Sequence, residues 1–144
     1  MKLEEIQALW EKNSQIDRTE LGEESLKIAQ YHSIYFKIYS DERLLLKKLE
    51  QQYRILLKIK FEYYNGNLSQ EELKQYGWSP FSLRVLKTDL QIYIDSDTDI
   101  HTSQIKLEYQ KEKINYLENI IKALNNRNYQ IKNAIDWSKF MNGI

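Results

Sequence analysis

Apolar and polar positions alternate with a helical period along most of the chain. From about Lys2 to Lys12, Leu3, Ile6, Leu9 and Trp10 share one side, which predicts a short amphipathic helix. A helix of that length is marginal alone, so it is expected to dock on its own subunit or on a neighbour. Asn13 to Arg18 reads as a connector, with Asp17 or Thr19 available to cap the next helix. From about Thr19 to Tyr64 the pattern predicts one very long helix. Its apolar face runs through Ile28, Tyr31, Ile34, Tyr35 and Ile38, then through Leu45, Leu46, Leu49, Tyr53, Leu56, Leu57, Tyr63 and Tyr64. Gly22 and the pair Ser40-Asp41 are its only weak points; Asp41 is a ready cap for a restart, which allows a bend there. Such a helix needs partner helices, from the same chain or from another copy.

Asn65-Gly66-Asn67 ends that helix, because Gly and Asn tolerate the left-handed cap. Ser69 with Glu72 forms a capping-box pair that opens a short helix to Tyr76, and Gly77-Trp78-Ser79-Pro80 breaks the chain again. Between Phe81 and Asp95 two readings stand: a short helix from about Thr88, or a strand over Gln91 to Asp95. From about Asp97 a heptad pattern sets in. Ile100, Leu107, Ile114 and Ile121 recur every seven residues, and Leu117, Leu124 and Ile131 fill the complementary positions. Antiparallel packing on the long helix within one subunit and self-association both satisfy this pattern. Asn125 to Asn128 interrupts it, and a last amphipathic helix is predicted with Tyr129, Ile131, Ile135, Trp137 and Phe140.

The expected fold is therefore all-α: a long central helix packed with a second long C-terminal helix, plus short terminal and connecting helices. The 144 residues suit a single helical domain with N-terminal helices over 1–66, a connector over 67–96 and C-terminal helices over 97–144. One Pro and four Gly are too few for a turn-rich β-fold. With no cysteine there is no disulfide frame, thiolate metal site or thiol nucleophile. No apolar run is long enough to cross a bilayer and the N-terminus lacks the basic-then-apolar start of a signal peptide, so a soluble protein that stays in its compartment of synthesis is expected.

Charge sharpens the picture. The chain is neutral overall, yet residues 1–24 carry seven acids against three bases, while residues 43–60 carry six bases against the single acid Glu50. At 100° per residue, Arg43, Lys47, Arg54 and Lys58 fall in one narrow sector of the helix, opposite the leucines and tyrosines; Lys48 adds to the basic stretch. Lys60 projects nearer the apolar face, where it has to snorkel past the tyrosines to reach solvent. A solvated helix face explains such a ridge. So does a phosphate-binding surface, because cations at one- and two-turn spacing neutralise successive phosphates.

The run KIKFEYYNG, Lys58 to Gly66, closes the ridge. It resembles a motif of the UvsY family, the recombination mediators of tailed bacteriophages, in which a Lys-x-Arg/Lys pair precedes an aliphatic or aromatic residue, an acid, two tyrosines, a small or polar residue and glycine. The similarity extends to the N-terminal MKLEEIQ, to IDRTEL and to the C-terminal IKNAI. Where this chain has Asn128, relatives in that family often carry Gly; Asn also visits the left-handed region, in keeping with a helix break.

The resemblance implies a homo-oligomer that binds single-stranded DNA, weakens the hold of the phage single-stranded DNA-binding protein and helps a RecA-like, UvsX-type recombinase to nucleate, in the cytoplasm of an infected bacterium. It implies DNA contacts by Lys58 and Lys60; the wheel sets Arg54, Lys47 and Arg43 beside Lys58, and Lys48 belongs to the same basic stretch. It also places oligomerisation in the C-terminal part, where Ile114, Leu117, Ile121, Leu124, Ile131, Ile135, Trp137 and Phe140 are the candidates. Lys58→Ala and Lys60→Ala are expected to weaken DNA binding.

Enzyme signatures are missing: no phosphate-binding Gly-rich loop, no H-E-x-x-H and no nucleophile elbow. His32 and His101 are isolated and read as ordinary helix residues. Asp95-x-Asp97-x-Asp99 begins like a calcium loop, but Ile100 and Lys106 stand where the loop needs Gly and Glu; capping of the helix near Asp97 is the expected role. Most of the 11 tyrosines are expected to be core, although tyrosines can stack on bases. No cofactor or metal is expected. The competing non-enzymatic reading is a helical assembly or adaptor protein whose ridge only solvates the helix.

Overall fold

The computed structural model describes residues 1–144 and contains five helices: α1 (Leu3–Asn13), α2 (Leu21–Tyr64), α3 (Gln70–Tyr76), α4 (Leu90–Asp95) and α5 (Thr98–Met141). The Gln91–Asp95 segment is helical and not a strand. Leu90 and Ile94, one turn apart, are both buried while Ile92 is 65% exposed, a burial pattern of period 3.6 and not 2.

The long helix expected up to Tyr64 is unbroken, and the break expected at Asn125–Asn128 is absent. Ser40-Asp41 lies within α2, because the next residue, Glu42, is buried and its carboxylate receives the Lys113 ammonium at 3.2 Å and the Met1 amine at 3.3 Å. Asn125–Asn128 lies within α5, with no residue in the left-handed region. Here Arg127 anchors the helix: it is 3% exposed, donates from Nη2 to Asn13 O at 2.9 Å and lies over the rings of Trp10 and Tyr31. The neighbouring asparagines point to solvent, so their low helix propensity costs little against that packing. At the other end of α2 the helix starts at Leu21, after a turn in which Asp17 Oδ1 accepts from both the N–H and the hydroxyl of Thr19.

The chain forms two compact units, residues 1–44 with 111–144 and residues 45–110. Both long helices contribute to both units, so the units cut across the N-terminal, connector and C-terminal segments of the sequence. In the first unit Ile6, Tyr35, Leu117, Ile120 and Leu124 form the core, flanked by Leu9, Trp10, Tyr31 and Ile38. The pairs Tyr39–Glu118 and Glu42–Lys113 show α2 and α5 running antiparallel there. The short α1 docks on this core through the fully buried Ile6, as a helix too short to stand alone must.

In the second unit Leu90, Ile94 and Ile100 pack with Tyr53, Leu56, Leu57, Phe61, Tyr64 and Val85. A ring cluster extends this core: Tyr63, Tyr64, Phe81 and Tyr93 meet at centroid separations of 5.0–5.8 Å. Ser69 Oγ accepts from Glu72 N–H at 3.2 Å to start α3, and Gly77, at φ 71°, closes it in the left-handed conformation that a Cβ would disfavour.

Candidate nucleic-acid interface

The basic ridge exists as a surface of the second unit. Lys47, Lys48, Arg54 and Lys58 are exposed on α2, whereas Leu49, Tyr53, Leu56 and Leu57 on the same helix are half-buried. None of the four cations is bound to a carboxylate. Lys47, Arg54 and Lys58 keep to one line along the helix, with Lys48 on its flank. Unpaired cations at this spacing create a positive potential along the helix and leave their full charge for a polyanion. Arg43 is also exposed; it belongs to the first unit, where its guanidinium lies 5.4 Å from the centre of the Tyr39 ring.

Lys60, expected from the resemblance as a phosphate contact, lies apart from that surface. Its side chain is 4% exposed, and its ammonium lies 3.0 Å from Asp97 Oδ2 and 2.9 Å from Asp99 Oδ2, with the Trp78 ring centre 3.7 Å away. The wheel position that set Lys60 apart from the ridge reflects this inward direction. A lysine turned to the core needs counter-charges, and the acids of residues 95–99 supply them.

Asp97 ties the arrangement together. Its Oδ1 accepts from the backbone N–H groups of Asp99 and Ile100 at 2.9 and 3.0 Å, capping α5; its Oδ2 accepts from the Tyr64 hydroxyl at 2.5 Å and from Lys60. Burial pushes the Asp97 carboxyl up, but the bonds from Tyr64, Ile100 and Lys60 outweigh burial and hold it below its ordinary value. The Tyr64 hydroxyl is pushed well up, by burial first and by the Asp97 carboxylate it donates to second. The calcium-like acid cluster is thus occupied in capping a helix and neutralising a lysine.

The C-terminal apolar set divides. Ile114, Leu117, Leu124 and Ile131 are buried inside the single chain, and Ile121 packs against the first unit's core. Five of the eight predicted oligomerisation residues are therefore engaged in intramolecular packing, the antiparallel use of the heptads. Ile135 is half-buried, while Trp137 and Phe140 are 63% and 71% exposed and stack on each other at 5.6 Å. No helix is long and apolar enough to cross a membrane.

Residues 9–144 match the family described as "Recombination, repair and ssDNA binding protein UvsY". The chain belongs to the UvsY family. The recombination protein UvsY of Enterobacteria phage T4 is 24% identical over 144 residues, covering 99% of each chain. Crystal structures of the bacteriophage T4 recombination mediator protein UvsY share the fold: one superimposes with a TM-score of 0.84 at 23% identity over 98% of both chains, and a second, in another lattice, with 0.84 over 97% of this chain and 99% of that one. UvsY membership gives the ridge a chemical context, since the family is described by its single-stranded DNA binding and its role in recombination and repair.

Sequence reasoning missed three residues on which this arrangement depends. Arg127 sits among asparagines that read as a break. Trp78 lies in a segment read as a break and Phe81 opens the segment left between two readings, yet both lean on the Tyr63 ring. The one available signal was their size: large aromatics in a short connector rarely remain without a packing partner.

Proposed function

We propose that this chain is a recombination mediator that holds single-stranded DNA along Lys47, Lys48, Arg54 and Lys58 of α2. On such a strand it helps a RecA-like, UvsX-type recombinase to nucleate where the phage single-stranded DNA-binding protein had been. It works without catalysis of its own, in the cytoplasm of an infected bacterium. The observation that carries the reading is four exposed cations, free of carboxylate partners, on one helix of a UvsY-family chain.

A ridge of four cations makes few phosphate contacts, so one copy binds weakly and in a salt-dependent way. Linked copies raise the effective concentration and bind tightly from modest sites. The exposed, stacked Trp137 and Phe140 support placing the contact between copies at the end of α5.

Titration of a fluorescent oligonucleotide at several salt concentrations tests the ridge. Affinity is expected to fall as salt rises, with the logarithmic slope shallower by about 0.7 for each phosphate contact removed. Lys58→Ala should weaken binding and flatten the slope by about that amount. An unchanged affinity and slope in a combined Lys47→Ala, Arg54→Ala, Lys58→Ala variant would reject this surface and favour an adaptor that does not bind nucleic acid.

A further inference from the structure

We propose that the cleft at the C-terminal end of α2 is a nucleobase site, in which one base of the bound single strand inserts beside Tyr64 and Phe81 while Arg84 holds a flanking phosphate. The inference rests on the single-strand-binding reading and extends it from charge to base contact.

The cleft lies wholly within the second unit. It has a volume of about 400 Å³ and is lined by Tyr64, Asn65, Phe81, Ser82, Arg84 and Val85, among others. That volume is within the range of small-ligand sites, which combine apolar walls with a few polar groups. The walls are aromatic and fixed. The Tyr64 and Phe81 rings meet edge to face at 5.0 Å and 88°, Phe81 is braced by Tyr93 at 5.5 Å, and the Tyr64 hydroxyl is engaged by Asp97. Arg84 is exposed and has no carboxylate partner.

Position relative to the ridge selects the occupant. The N–H of Asn65 bonds to Phe61 O at 3.1 Å, so Asn65 continues the helical path. Counting 3.6 residues per turn, it lies on the same line as Lys47 and about 10 Å beyond Lys58. A strand running along the cations therefore meets the cleft next. The carbonyl end of α2 carries partial negative charge, which disfavours a phosphate inside the cleft and suits a neutral base with amino or imino donors. Asn65 and Ser82 offer polar groups at its edge, and Arg84 supplies the cation that the strand's next phosphate requires.

The experiment compares the full chain's affinity for an oligonucleotide and for the same-length strand carrying abasic spacers, at one salt concentration. The two strands have equal charge. The intact strand is expected to bind at least about five-fold more tightly, the gain from stacking a base on an aromatic. Ser82→Leu, which fills the cleft with a side chain that offers no ring to stack on, should reduce that preference. Arg84→Ala should weaken both strands and flatten the salt dependence. Equal binding of intact and abasic strands by the unmodified chain overturns the base site and leaves the ridge standing. So does an undiminished preference in Ser82→Leu. Failure to bind either strand at low salt overturns the proposed function itself and the base site with it.

Discussion

At the scale of single residues, one lysine separates charge that is displayed from charge that is confined. Lys58 and Lys60 are two positions apart in one motif, yet a helix turns their side chains in different directions: Lys58 to solvent and Lys60 onto two carboxylates and an indole ring. Substitution of the two is therefore expected to have different signatures. Lys60→Ala strands Asp97 as a buried, partly uncompensated charge and should cost about 3 kcal/mol of stability in denaturant unfolding. Its effect on DNA binding should track loss of fold, with the salt slope retained. Lys58→Ala should leave the unfolding midpoint unmoved.

Asp97 gives the same site a pH dependence. Its carboxyl ionises more readily in the folded chain than in the unfolded one, so its contribution is complete above the ordinary Asp value near pH 4. That contribution is lost as pH falls through the lower, folded value. Thermal melts across the acid range should show a decline that Asp97→Asn, already lacking the ionisation, displays less steeply. Equal decline in both proteins would assign acid sensitivity to other carboxylates.

Among the helices, the continuity of α5 was the property least visible in advance. Propensity marked Ser40-Asp41 and Asn125–Asn128 as weak points, and each proved to flank a buried charged residue that pins the helix: Glu42 in one case, Arg127 in the other. Local preferences of a few tenths of a kcal/mol per residue yield to such tertiary bonds. Asn126 is exposed and makes no contact that explains its conformation, so it reports on the backbone alone. Asn126→Pro should destabilise the chain by about 3 kcal/mol if α5 is continuous, measured by urea unfolding; a loss below about 0.5 kcal/mol would restore the break. The opposite lesson comes from α4, where the sequence left a helix from about Thr88 and a strand over Gln91 to Asp95 both open and the burial of Leu90 with Ile94 decided.

For the whole molecule, the apolar inventory is divided between closing each unit and leaving a surface. The heptad positions Ile114, Leu117, Leu124 and Ile131 serve the chain's own interior, whereas Trp137 and Phe140 remain outside it. Sedimentation velocity of Trp137→Ser, Phe140→Ser should report smaller assemblies with unchanged helical content, together with weaker DNA binding through lost multivalency. Retention of the original assembly would move the contact between copies away from the end of α5. Arg43, exposed in the first unit, is expected to contribute less than Lys58 to the salt slope, because the Tyr39 ring already engages its guanidinium.

The sequence by itself determined the all-α class, the existence of the long helices, the caps at Ser69 and Asp97, the outward direction of Lys47, Arg54 and Lys58, and a motif specific enough to indicate the family. These come from local rules: a 3.6-residue period assigns faces, short polar side chains cap, and charge placed opposite an apolar stripe meets water. Only the tertiary structure decided that Lys60 faces Asp97 and Asp99, that Arg127 holds α5 through its asparagines, and that most heptad residues are buried within the chain itself. Those outcomes depend on residues tens of positions apart arriving at one place, and the free energy of a buried pair or a filled core exceeds the local preferences that a single strand of letters records.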